Sequence, residues 1–194
     1  MNEPNRPQWN ERYRAGAAPQ APEPWVSEMM ALLPRGGLAL DAAAGAGRHS
    51  LLLARAGFKV VAIDYAEAGL RAMQAAARAE RLAAWPVVAD LCDYPLPCDR
   101  FDLALNVSFL DRGLAPRLVA SLKPGGMLLF DTFLIDQIAF GHPRNPDFLL
   151  KHYELREMLD AARMELLRYR EGITVYPDGK RAWRAGALAI RRSG

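Results

Sequence analysis

The sequence predicts an α/β fold, a mostly parallel seven-stranded sheet with helices on both faces and a C-terminal antiparallel hairpin. Three observations carry this expectation. Short apolar runs alternate with amphipathic helical segments between Leu38 and Phe133, the first four runs each end on a polar residue, and the last third changes to two long extended segments around a turn. Strands separated by helices require crossover connections, which are right-handed and make the sheet parallel. Two extended runs flanking Tyr176-Pro177-Asp178-Gly179-Lys180 signal a hairpin instead.

Size and composition agree with this class. The chain has 194 residues, 51% hydrophobic and 24% charged, as expected for one ordinary globular domain. A domain of this length buries roughly 70% of the surface its unfolded chain exposes, so it needs neither disulfides nor a structural metal. Cys92 and Cys98 match no zinc spacing and read as reduced thiols, and no metal is predicted. The segment Met1-Asn2-Glu3-Pro4-Asn5-Arg6-Pro7 lacks the order of a secretory signal, and no apolar run approaches the ~18 residues of a membrane span. Both features point to the cytoplasm. The net charge of +3 is small, and the excess of ten Lys/Arg over six Asp/Glu from Lys151 onward reads as a solvated face. A nucleic-acid partner is not expected, since no dense basic block interleaves with aromatics.

Five prolines precede Trp25, a density that forbids a long helix there. The island Trp9-Asn10-Glu11-Arg12-Tyr13 nevertheless carries large side chains that predict packing, so residues 1–24 read as a leader or lid and residues 25–194 as a single domain. Pro24 suits a first helical turn, and apolar residues from Trp25 to Leu33 continue the helix to Pro34-Arg35-Gly36-Gly37. Leu38 to Leu40 is a strand, Arg48 to Ala56 a helix stopped by Gly57, and Phe58 to Ile63 a second strand closed by Asp64. Ala66 to Arg81 is helical, with Leu70, Met73 and Ala77 on one face. Strands follow at Ala84 to Ala89, before Asp90, and at Phe101 to Leu105, before Asn106. Leu114 to Leu122 is a helix, Lys123-Pro124-Gly125-Gly126 a turn and Met127 to Phe133 a fifth strand. A long connection from Leu134 to Leu150 leads to a helix over Tyr153 to Ala162, and then to the extended runs Leu166 to Val175 and Ala182 to Ile190.

In an open parallel sheet, ligands bind outside the carboxyl ends of the strands, where Asp41, Asp64, Asp90 and Asn106 fall. The segment Asp41-Ala42-Ala43-Ala44-Gly45-Ala46-Gly47-Arg48 joins a strand to a helix. Its small residues let backbone approach a ligand while helix amides point at it. Asp64 follows Gly45 by 19 residues, the spacing at which an acid meets two ribose hydroxyls. Ser50 stands where the dinucleotide pattern has its third glycine, which counts against a nicotinamide enzyme. The acids at the ends of three strands together predict a nucleoside ligand.

Five segments carry a resemblance: Leu40-Asp41-Ala42-Ala43-Ala44-Gly45-Ala46-Gly47, Val61-Ala62-Ile63-Asp64, Ala89-Asp90-Leu91, Phe101-Asp102-Leu103-Ala104-Leu105-Asn106 and Leu122-Lys123-Pro124-Gly125-Gly126. In this order they resemble the successive motifs of the class I methyltransferases that use S-adenosylmethionine, over nearly the whole chain. Trp9 to Tyr13 with Pro143-Arg144-Asn145-Pro146 resembles the small stand-alone enzymes of the tellurite-resistance methyltransferase type. The resemblance implies a Rossmann-like fold and S-adenosylmethionine as cofactor. It implies that Asp64 accepts from the ribose diol and Asp90 from the exocyclic amine of adenine, beside the Leu91 backbone. Gly45, Gly47 and Asn106 would line the cofactor. Asp41 either orients its amino group or caps backbone amides of the loop, and both roles are compatible. Arg12 or Tyr13, folding over the site, or alternatively Arg48, would meet its carboxylate.

The same resemblance implies in-line methyl transfer to a small-molecule acceptor; an RNA or protein acceptor, or a non-catalytic cofactor-binding regulator, are the alternatives. Where family members often place His or aromatic residues after the fourth strand, this chain has Phe109-Leu110-Asp111-Arg112. His142 and Arg144 in the long connection are then the remaining catalytic candidates, since a loop of about 15 residues in a compact domain is usually functional. His49 and His152 each start a helix without partners at metal-ligand spacing.

Overall fold

The computed structural model describes residues 6–16 and 20–192. Among these the elements are, in chain order, α1 (Arg6–Gly16), α2 (Pro24–Met29), β1 (Gly37–Ala42), α3 (Arg48–Arg55), β2 (Phe58–Asp64), α4 (Glu67–Ala79), β3 (Ala84–Val88), β4 (Phe101–Val107), α5 (Leu114–Ser121), β5 (Leu122–Phe133), α6 (Glu154–Ala161), β6 (Met164–Val175) and β7 (Arg181–Arg191), with 3-10 turns at Met30–Leu32, Ile135–Ala139 and Pro146–Phe148. The seven strands run in the order β3-β2-β1-β4-β5-β7-β6, with β7 antiparallel to β5 and β6. This is a mixed, mostly parallel Rossmann-like sheet flanked by helices. The chain forms two compact units, one of residues up to Glu23 with Pro34–Pro95, the other of Pro24–Leu33 with the residues from Leu96 onward.

In the first unit β1 pairs parallel with β2 (Asp41 beside Ala62) and β2 with β3 (Asp64 beside Val88). Leu40, Phe58, Val60 and Ile63 are buried, which fits strands covered on both faces and explains their continuous apolar runs. Leu70, Met73 and Ala77 are buried along α4 at helical spacing, and Gly57 at φ +92° ends α3. The expected absence of a long helix before Trp25 does not hold, because α1 spans 11 residues. Pro7 lies in its first turn, where no intrahelical N–H bond is lost, and Pro22 and Pro24 follow its end. Pro4 and Pro19 lie outside the described residues. α1 packs on α4, and Asn10 Oδ1 accepts from Ala68 N at 3.1 Å.

In the second unit β4 pairs parallel with β5, bringing Val107 beside Asp131. That pairing extends β4 past the expected end at Leu105, so Asn106 lies inside the strand rather than after it. The expected Lys123–Gly126 turn is instead a bulge within β5, where pairing jumps from Phe101 beside Leu122 to Leu103 beside Met127. The hairpin forms as expected, with Gly179 at φ +80° donating to Tyr176 O at 2.9 Å. Asp131 is fully buried and accepts from Arg184 Nε at 2.5 Å and Arg170 Nη2 at 2.9 Å. The two guanidinium groups also lie over aromatic rings, Arg184 on Phe133 and Arg170 on Trp25.

Candidate functional site

The first unit gathers Tyr13, Asp41, Gly45, Gly47, Arg48 and Asp64 around the turn from β1 to α3. Gly45 and Gly47 have φ of +57° and +78°, a region where a side chain is strained. Contacts tighten the requirement. A Cβ on Gly45 would lie 2.2 Å from the Tyr13 hydroxyl, and one on Gly47 1.9 Å from Met73 Cγ. Gly69 in α4 lets that helix approach the turn, since a Cβ there would meet Gly45 O at 2.7 Å. Tyr13 thus covers the glycine turn, and Trp9 stacks against it with Arg12 over the Trp9 ring.

Asp64 is buried at the end of β2. Its Oδ2 accepts from Gly45 N at 2.8 Å and its Oδ1 from Ala66 N at 2.7 Å, so one carboxylate braces both the glycine turn and the start of α4. Burial raises its pKa above the usual carboxylate range, against the pull of those amides. Burial and the nearby Asp64 carboxylate push the Tyr13 hydroxyl up to about 12, so it stays protonated. Asp41, 1% exposed, accepts from Ser50 Oγ at 2.6 Å and from the Ser50 backbone. Its backbone capping is therefore at the first turn of α3. Ser50, at the third-glycine position, serves as its donor.

Burial lifts Asp41 to about 7, more than the Ser50 hydrogen bond lowers it. The folded state then keeps a proton that the unfolded chain releases near pH 4, and this contribution to stability falls as pH rises from about 4 to 7. Asp41→Asn should flatten that part of the profile. Urea unfolding at pH 5 and pH 7.5 checks this, with the variant gaining on the parent protein at the higher pH.

Arg48 already has a carboxylate, with Nη2 3.0 Å from Glu23 Oε1 and Nη1 donating to Ala21 O. Glu23 N in turn donates to Nε2 of the buried His49 at 3.1 Å. No sequence signal marked Glu23, which lies between two prolines and meets its partners across 25 or 26 positions. Among the described residues Arg12 has no ion pair. At the end of β3, Ala89 N donates to Asp64 O at 3.0 Å, Asp90 Oδ1 accepts from Cys92 N at 3.0 Å, and Leu91 is buried.

The remaining candidates belong to the second unit. Asn106 is buried, its Nδ2 donating to Phe109 O at 2.8 Å, and its Oδ1 has no hydrogen-bond partner among the described residues. His142 and Arg144 are exposed, and the His142 carbonyl accepts from Gln137 Nε2 at 2.9 Å. Asn145 caps the turn at Pro146–Phe148 by accepting from Asp147 N. No described group of three or more His, Cys, Asp or Glu residues is arranged to hold a metal, and no described helix is long and apolar enough to cross a membrane.

Residues 39–126 match the family model of a methyltransferase domain. Solved structures share the fold. An S-adenosylmethionine-dependent methyltransferase of Methanosarcina mazei is 20% identical with a TM-score of 0.69, over 90% of this chain and 100% of that one. TehB of Haemophilus influenzae is 21% identical with a TM-score of 0.69, over 86% of this chain and 61% of that one. The 1,6-didemethyltoxoflavin N1-methyltransferase of Burkholderia thailandensis is 20% identical with a TM-score of 0.72, over 97% of this chain and 87% of that one. No curated protein sequence matches the chain. The matched stretch carries the glycine turn and the strand-end acids and is similar to a methyltransferase domain, and the solved structures share the fold in which it lies.

Proposed function

We propose that the protein transfers the methyl group of S-adenosylmethionine to a small-molecule acceptor in the cytoplasm by in-line displacement, with the cofactor on the Gly45–Gly47 turn. The observation that carries this reading is the Asp64 brace. Each carboxylate oxygen spends one acceptor site on a backbone amide, and the remaining sites suit the two hydroxyls of a ribose. The residues present fit the cofactor in other respects. The turn offers backbone without side chains, and Asp90 and Leu91 follow the neighbouring strand, as an adenine ring requires. Arg12 takes the cofactor carboxylate in preference to Arg48, whose guanidinium is engaged by Glu23.

The cofactor supplies an electrophilic methyl group when bound. The chain's contribution is to hold and align, and a near-attack geometry supplies about 7–11 kcal/mol of barrier reduction. Small-molecule acceptors are favoured by the Burkholderia enzyme, which holds 1,6-didemethyltoxoflavin and S-adenosylhomocysteine and aligns over nearly the whole of this chain. Arg144 in the connection after β5 would bind an anionic part of the acceptor or pin that connection. A screen of metabolite pools with radiolabelled cofactor tests the reading, with RNA and protein fractions run beside it. Label in a low-molecular-weight product is expected; label confined to RNA or protein would replace the acceptor class.

The segment carrying Trp9, Arg12 and Tyr13 acts as a lid in this reading. Saturating S-adenosylhomocysteine should slow tryptic cleavage after Arg12, because a segment ordered by ligand opens less often. Equal cleavage rates with and without it would remove the lid.

A further inference from the structure

We propose that His152 is a pH-operated latch on the connection between β5 and α6. Its Nδ1 is hydrogen-bonded to Glu171 Oε2 on β6 at 3.0 Å, and its Nε2 lies at ion-pair distance, 2.7 Å, from Asp136 Oδ2 in the turn after β5, without hydrogen-bond alignment. Each ring nitrogen therefore faces a carboxylate. A neutral imidazole has one N–H, which can serve Glu171, and no charge to hold Asp136, whereas the imidazolium bonds the one and attracts the other. Losing the proton turns a ring lone pair toward a carboxylate and releases one side of the latch.

The surroundings make Glu171 the fixed side. It also accepts from Tyr153 N at 2.6 Å and from the Tyr169 hydroxyl, and Tyr153 is held at φ +63°, a region unfavourable for a tyrosine. Asp136, on the connection, is then the partner that lets go. Arg112, Asp147, Lys151, Glu154 and Glu157 line the groove that His152 also lines, and Arg156 acts on the neighbouring Tyr169. Glu154 is engaged by Arg112 and by Lys151 N. The bond to Glu171, then the charge of Asp136, holds His152 above its ordinary value of 6.5. The latch is thus closed below that raised value and opens as pH rises past it.

A second clamp holds the same connection without titrating near neutrality. Arg112 grips Glu154 through Nε and Nη2, and donates to Asp147 O at 3.0 Å and Leu149 O at 3.1 Å. Arg112 and His152 both line a surface groove of about 580 Å³ with Pro146, Asp147, Lys151 and Glu154. One clamp is permanent and the other conditional, so the stretch nearer Asp136 is the part that moves. That stretch leads into His142 and Arg144. A consequence for acceptor entry rests on the proposed methyl transfer; the latch itself does not.

The test uses the full chain without cofactor or acceptor. His152 is followed by its ring resonances from pH 5 to 9, and the amides of Gln137, Phe140 and Gly141 by hydrogen exchange, with the intrinsic pH dependence divided out. The expected midpoint for His152 is above 6.5, and protection should fall about three- to tenfold between pH 6 and pH 8.5, the scale of one or two exposed ion pairs. His152→Gln should show the low protection at both pH values. Arg112→Lys should lower protection throughout yet keep the pH step. A midpoint at or below 6.5, or an unchanged step in His152→Gln, overturns the latch. Neither result bears on methyl transfer, which the radiolabel screen decides separately. The ring titration needs only the parent protein, so it stands even if a variant does not fold.

Discussion

Asp64→Ala should weaken S-adenosylhomocysteine binding by about 2–4 kcal/mol, a loss of roughly 30- to 1000-fold, as expected for two hydrogen bonds to a charged acceptor. Two effects combine. The ribose loses its acceptor, and Gly45 N and Ala66 N lose the carboxylate that fixes the turn. Asp64→Asn separates them, because its single carbonyl oxygen can keep one brace while its amide group faces the other N–H. Calorimetric titration of both variants checks this. Asn should bind better than Ala and both far worse than the parent protein, while circular dichroism stays that of the folded chain. An unchanged affinity for Asp64→Ala would take Asp64 out of the cofactor site.

Asp131→Ala should be among the most destabilising single changes in the second unit, at about 3–5 kcal/mol. Asp131 is fully buried, and Arg184 on β7 and Arg170 on β6 both donate to it. Removing it takes from two guanidinium groups the carboxylate they share and leaves a cavity beside Gly186. A Cβ on Gly186 would already meet Asp131 Oδ2 and the Trp25 ring at 2.8 Å, which shows how closely the cluster is packed. Chemical denaturation is the measurement. The double variant Asp131→Ala with Arg170→Met should recover part of the loss by withdrawing one of the two charges that Asp131 had paired, that of the half-buried Arg170. A loss under 1 kcal/mol for the single variant would mean that the cluster relaxes or takes in water.

The sheet was legible in the sequence because β1, β2, β4 and β5 are buried on both faces and so read as unbroken apolar runs. The acids that end β1 and β2 were legible for a related reason: a polar residue closing such a run marks where the strand reaches the edge. Asp64 stood out by its distance from Gly45. Its double amide brace did not, because that depends on how tightly the turn folds. Helix α1 was hidden by proline density, since composition does not reveal that Pro7 falls at a helix start, where proline costs nothing. The long-range polar clusters left no local trace. Glu23 with Arg48, Arg112 with Glu154, and Asp131 with Arg184 join residues 25, 42 and 53 positions apart. Periodicity carries no information at that range, and only the folded chain brings such partners together. Arg112 is instructive: it occupies the segment where a histidine base was sought, and there it clamps the next connection.

In the proposed function S-adenosylmethionine binds on the glycine turn of the first unit. Titrating the isotope-labelled protein with S-adenosylhomocysteine and following its backbone amides tests this most directly. Saturable binding at one site per chain is expected, with the largest shifts at Gly45, Gly47, Asp64, Ala66 and Leu91, and changes at Arg12 and Tyr13 as the lid responds. Absence of binding at millimolar ligand, or saturable binding that leaves Gly45 to Gly47 and Asp64 unperturbed, would contradict it.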